Sequence, residues 1–167
     1  MLFLLTLYKV HENSRETETL KQFIMDQAGN SIMFGDTFES AGVPFIKIEQ
    51  VNGIELDNCV MLIDTGANVN FIEEDIVKSC IPNYSKELEY DSDIMTIQGT
   101  LEMNKSLITT ITIDNKELKD RFVVVDHNST LDYIASDTNK NVIGIIGSEF
   151  MNKYGFNIDM KKLMLKF

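Results

Sequence analysis

The sequence predicts an all-β domain with two or three short helices, wound into a closed, barrel-like sheet. Three observations carry this. Runs of strand length, rich in β-branched and apolar residues, recur through the chain; Gly, Asn and Asp turn signals join several of them; and helical periodicity is confined to short pieces. No period repeats and no segment is of low complexity, so about eight to ten strands share one fold. The chain has 167 residues, 44% of them hydrophobic and 25% charged. That is one soluble globular domain with a core of its own.

Taken in order, LFLLTLY reads as a first strand or a segment packed on a partner. Asn13-Ser14-Arg15-Glu16 has the form of a helix-capping box, with Leu20, Phe23 and Ile24 on one face and Gly29-Asn30 as a stop. The same stretch also reads as a hairpin, QFIMDQAGNSIMF, whose apolar runs flank a Gly-Asn turn. Next come VPFIKIEQ, an Asn52-Gly53 turn suited to type I′ geometry, and IELDNCVMLI, a hairpin that delivers the chain to Asp64. EEDIVKSC, acidic first and lysine-bearing later, predicts a short helix ending before Ile81-Pro82. The polar residues 83–93 read as a loop. IMTIQGTLEM reads as two short strands bent at Gln98-Gly99, and SLITTITI and ELKDRFVVVD as a hairpin turning at Asp114-Asn115-Lys116. HNSTLDYIASDTNKN reads as a polar loop or insertion. VIGIIG then leads into a helix, SEFMNKY, closed by Gly155, and FNIDM and LMLKF pair across Lys161-Lys162.

Acidic residues outnumber basic ones by 26 to 15, for a net charge of -11, and no Lys/Arg cluster offsets this. Such a chain repels phosphate backbones and anionic lipid, so neither nucleic acid nor a membrane surface is an expected partner. The N-terminal apolar run is far shorter than the roughly 20 residues a membrane span needs, and it has neither the basic start nor the cleavage site of a signal peptide. Cys59 and Cys80 lack metal-ligand spacing and are expected to be reduced thiols. The expected location is cytoplasmic.

The chemistry gathers at MLIDTGANVNFI, where Asp64 ends an apolar run. By itself, Asp-Thr-Gly also fits a strand ending in a turn whose Asp accepts backbone amides. Met61-Leu62-Ile63 nevertheless puts Asp64 where full ionisation alone is costly, and Ala67 is small enough for close backbone approach. Two facing carboxylates can share a proton, one acting as base and the other as acid, as in the aspartic-protease dyad that the general theory of coupled titration uses as its example. The chain has one Asp-Thr-Gly, so such a dyad needs two chains.

Asp64-Thr65-Gly66-Ala67, together with Ile145-Ile146-Gly147 and the following SEFMNKYG, resembles the single-lobed, retropepsin-like aspartic proteases. The resemblance covers residues 43–167 and leaves residues 1–42 as an N-terminal extension. It implies an acid-protease fold with one lobe per chain, a homodimer, an extended peptide or protein substrate, and neither metal nor cofactor. Asp64 would be the catalytic carboxylate, Thr65 would bond across the dimer, and Gly66 and Ala67 would support the loop. Ile145, Ile146 and Gly147 would brace it from beneath. The family closes over substrate with a glycine-bearing hairpin, and Gly99 is the only glycine between Ala67 and the VIGIIG run. This makes Ile97, Gly99 and Leu101 the candidate flap residues, although a plain surface hairpin fits as well and no aromatic residue lies on it. The alternative is a weak or inactive dimerising or peptide-binding module of the same fold. An aspartyl-phosphate enzyme would need Mg²⁺ ligands and a lysine near Asp64, which the sequence does not supply. His11 and His127 stand in polar segments and read as solvated.

Overall fold

The computed structural model describes residues 31–33, 42–86, 88–91, 94–96, 99–101, 104–126, 131, 135–136 and 140–167. Strand β1 (Ser31–Met33) is in the state the hairpin reading gave it; the rest of that hairpin and the capping-box helix lie outside the described residues. Strands β2 (Phe45–Lys47), β3 (Gln50–Val51), β4 (Ile54–Glu55) and β5 (Cys59–Ile63) form one bent ribbon. Its tip is the expected turn: Asn52 and Gly53 have φ of 52° and 77°, both positive as a type I′ turn requires. Farther down the ribbon β5 returns along β2, with Phe45 opposite Leu62 and Lys47 opposite Val60. All five residues of β5 are buried, because neighbours cover both faces.

Strand β6 (Asn70–Glu73) runs directly into helix α1 (Glu74–Cys80), which carries Glu74 and Asp75 in its first turn and Lys78 in its last. These charges complement the helix dipole, while Val77 and Cys80 anchor the inner face. Residues 83–93 are not simply a loop. A 3-10 turn spans Tyr84–Lys86, and strand β7 (Glu89–Asp91) pairs with a later strand. Its side chains are polar, but the pairing is made by backbone groups and needs no apolar pattern. Strands β8 (Ile94–Thr96) and β9 (Gly99–Leu101) form a separate two-stranded sheet, with Thr96 opposite Gly99.

The longest hairpin joins β10 (Asn104–Ile113) to β11 (Lys116–Val125). Its turn is tighter than expected. Asp114 and Asn115 alone make it, both at positive φ, and Lys116 already pairs with Ile113. Then come β12 (Asn141–Ile146), helix α2 (Ser148–Lys153), β13 (Asn157–Asp159) and β14 (Met164–Lys166). Gly155, at φ 68°, closes α2 as a left-handed terminator. Strand β1 pairs with β14, so part of the segment before residue 43 joins the C-terminal strands in a small sheet of order β1-β14-β13.

The main sheet has the order β2-β5-β12-β6-β11-β10-β3-β4, with β7 also on β10. Strands β2 and β3 stand near opposite ends of this order, yet only Ile48 and Glu49 separate them in the chain. The sheet must therefore curl round on itself. Inside the curl lies the larger core, with Ile46, Met61, Ile72, Leu107, Ile111, Phe122, Ile146 and Phe150 all nearly inaccessible. A smaller cluster holds Phe45, Val60, Leu62, Val142 and Leu131. Leu131 comes from the segment read as a polar loop or insertion; it is helical and fully buried, an apolar anchor that the polar composition around it concealed. Among the described residues no helix is long and apolar enough to cross a membrane.

Candidate active site

Strands β5 and β6 are joined by only six residues, 64–69, but they are not neighbours. β12 lies between them, parallel to β5 with Ile146 opposite Ile63, and antiparallel to β6 with Gly144 opposite Ile72. Such close threading requires bare backbone. A Cβ on Gly144 would lie 2.1 Å from the Phe71 carbonyl oxygen, and one on Gly147 would lie 2.4 Å from that of Val69. Any side chain there would overlap main chain.

The loop is fastened from below along its length. At its start the Asp64 amide donates to the Ile146 carbonyl at 3.0 Å. Farther on, the Ser148 amide donates to the Ala67 carbonyl at 2.7 Å and the Glu149 amide to that of Asn68 at 3.2 Å. The first amides of α2 thus find partners in the loop, which matters because the helix has no side-chain cap of its own. The amide of Gly147 is taken by the side chain of Asn70, whose Oδ1 accepts it at 2.9 Å, while Asn70 Nδ2 donates to the Arg121 carbonyl at 3.0 Å.

Asp64 itself is half-buried, less enclosed than the apolar run before it led us to expect, because the apolar wall ends at Ile63 and the chain turns outward. Its Oδ1 accepts the Gly66 amide at 2.8 Å, and its carbonyl accepts the Ala67 amide at 3.2 Å. Thr65 and Gly66 are exposed at the turn, with Ala67 half-buried behind them. A Cβ on Gly66 would come within 3.2 Å of the Asp64 carboxylate oxygen. The arrangement leaves one carboxylate reachable from outside on a loop whose backbone is held.

Of the remaining sequence-predicted residues, Ile146 packs in the larger core and Gly147 carries the loop. Ile145 faces the other way, half-buried beside the smaller cluster, because successive strand residues point to opposite faces. Gly99 and Leu101 are on β9, away from the main sheet's strand order, and Ile97 lies outside the described residues. Both histidines lie outside them too. The cysteines are free and buried; burial pushes the Cys59 thiol up from its usual 9.0, against a smaller opposing pull from the Asn141 side chain. Sequence reasoning passed over two residues of the site, Gly144 and Asn70. The available signal for Asn70 was a single amide opening the apolar run NFI, since a buried amide demands partners.

A family model described as aspartyl protease matches residues 48–150 of the chain. Among solved structures, the chain is similar to a retropepsin-like aspartic protease from Rickettsia conorii, at 19% identity, covering 81% of this chain and 88% of that one with a TM-score of 0.55. It is also similar to the retroviral protease-like domain of Ddi1 from Leishmania major, at 12% identity, covering 75% of this chain and 87% of that one with a TM-score of 0.50. At these identities the likeness is one of fold, the single-lobed retropepsin-like architecture. No curated protein matches the chain by sequence.

Proposed function

Because the chain belongs to the aspartyl protease family, with Asp64 and Gly147 both inside the matched span, we propose that it is an aspartic endopeptidase. It works as a homodimer, each subunit contributing one Asp64. The observation that carries the reading is the half-buried Asp64 on a loop whose backbone is bonded to β12 and α2 beneath it. A fixed backbone lets two such carboxylates meet at short range, where they share one proton.

In the reaction the ionised carboxylate takes a proton from water as the water oxygen bonds to the peptide carbonyl carbon. The protonated partner gives its proton to the carbonyl oxygen. The gem-diol then collapses: the carboxyl that took the water proton gives it to the amide nitrogen, the other carboxylate takes a proton from a gem-diol hydroxyl, and the C–N bond breaks, leaving the pair with one shared proton. In this reading Thr65, which is exposed next to Asp64, bonds across to the second loop, and Gly66 keeps the approach to the carboxylate open. Substrate binds extended, by main-chain hydrogen bonds with side chains alternating into pockets, and the β8–β9 hairpin is the candidate flap.

The test is cleavage of an unstructured protein between about pH 4 and 7, with molecular mass recorded alongside. Asp64→Asn keeps the shape and cannot share the proton. Cleavage that disappears in this variant, is blocked by a statine-type inhibitor and follows the dimer establishes the enzyme. A folded dimer that cleaves nothing moves the reading to a peptide-binding module of the same fold.

A further inference from the structure

We infer that Asn70 is a positioning residue of this site: its side-chain amide sets where α2 begins and, through α2, the placement of the loop that carries Asp64. The consequence for rate rests on the protease reading; the clamp itself does not. Asn70 is 4% exposed and opens β6, paired with Phe122 of β11. One end of its amide holds the Arg121 carbonyl at 3.0 Å, and the other holds the Gly147 amide at 2.9 Å. Gly147 is the residue before α2, and the next two amides hold the loop carbonyls of Ala67 and Asn68. The chain of contact therefore runs from β11 through one side chain to Gly147, and from α2 to the loop.

This job needs a donor and an acceptor on one short planar group, which describes asparagine. Ionised aspartate has the same shape but only accepts, so it would turn an oxygen toward the Arg121 carbonyl. Protonated aspartic acid restores both bonds. Asn70→Asp is thus a clamp that works in acid and fails toward neutrality, since burial beside a carbonyl favours the neutral form. The titratable side chains on the elements meeting here are Asp64 on the loop, Glu73 on β6, Lys116, Glu117, Lys119, Asp120 and Arg121 on β11, and Glu149 and Lys153 on α2, with Lys153 paired to Asp120 at 3.3 Å. Arg121 is engaged by Glu89 at 2.6 Å and by Ser106 at 3.0 Å.

The experiment compares the full native chain with Asn70→Asp and Asn70→Leu, measuring kcat, KM and thermal melting from about pH 4 to 7 and Gly147 amide exchange by NMR. For Asn70→Asp the expected result is a kcat about ten- to a hundredfold below native at the neutral end, recovering in acid, with KM little changed. Gly147 amide protection should fall and return in step, whereas Asn70→Leu stays impaired throughout. An Asn70→Asp profile parallel to the native one, a change in KM alone, or unfolding at both ends of the range overturns the inference. If the native chain cleaves nothing, the protease reading fails, and the Gly147 amide decides alone: pH-dependent protection in Asn70→Asp upholds the clamp and unchanged protection overturns it.

Discussion

Three glycines near Asp64 serve different ends, and alanine substitution separates them. At Gly144 a new methyl group meets the Phe71 carbonyl oxygen at 2.1 Å, across strands that cannot part without breaking the sheet, and at Gly147 it meets the Val69 carbonyl oxygen of the loop at 2.4 Å. Gly144→Ala and Gly147→Ala should each lower stability by about 1–3 kcal/mol, read from denaturant unfolding. At Gly66 the methyl group meets only the Asp64 carboxylate, at 3.2 Å. Gly66→Ala should therefore unfold like the native chain while losing most of its cleavage, and a parallel loss of stability would contradict this account. Asp64, Gly66 and Gly147 were legible in the sequence because their motifs are local. Gly144 and Asn70 were not, because what constrains each lies far off in the chain: Phe71 for Gly144, Arg121 and Gly147 for Asn70.

Helix α1 shows how charge fastens an element to the frame. Lys78 bonds Glu74 at 2.8 Å, Tyr84 donates to the same carboxylate at 3.2 Å, and these contacts hold it below the usual 4.5 despite some opposing desolvation. A lowered carboxylate contributes stability that is complete above its ordinary value and is lost as the pH falls through the lowered one. Glu74→Gln should therefore reduce the melting temperature at neutral pH slightly, by at most about 2 °C for a pair whose Lys78 end is exposed, and the difference should vanish in acid. A difference that persists in acid would mean the carboxylate charge is not its source. Helix α1, helix α2 and the turns at 52–53, 114–115 and 155 were all legible, since capping, dipole and positive-φ chemistry are written in neighbouring residues. Strand β7 and the Leu131 anchor escaped, one because its side chains are polar and the other because a single apolar residue makes no periodicity.

At the scale of the whole molecule, charge opposes assembly. Each chain carries a net charge of -11, so two copies repel, and salt weakens that repulsion as the screening length shrinks to about 3 Å near 1 M. If activity belongs to the dimer, specific activity should fall on dilution and recover with added salt, checked by rate against enzyme concentration alongside sedimentation. Activity independent of dilution in a monomeric species would contradict the shared site. The barrel-like closure was legible from the density of short strands, whereas the strand order was not, because nothing local to residues 141–146 says that they lie between β5 and β6. That order bears on biosynthesis. A nascent chain translated as far as β11 already contains Asp64, Thr65 and Gly66, but the gap that β12 fills is still open and the amides of residues 147–149 do not yet exist. The loop has nothing beneath it at that stage. On the protease reading, the order of translation keeps the unfinished polypeptide inert, and the ability to cut can arise only once residues 141–149 have left the ribosome.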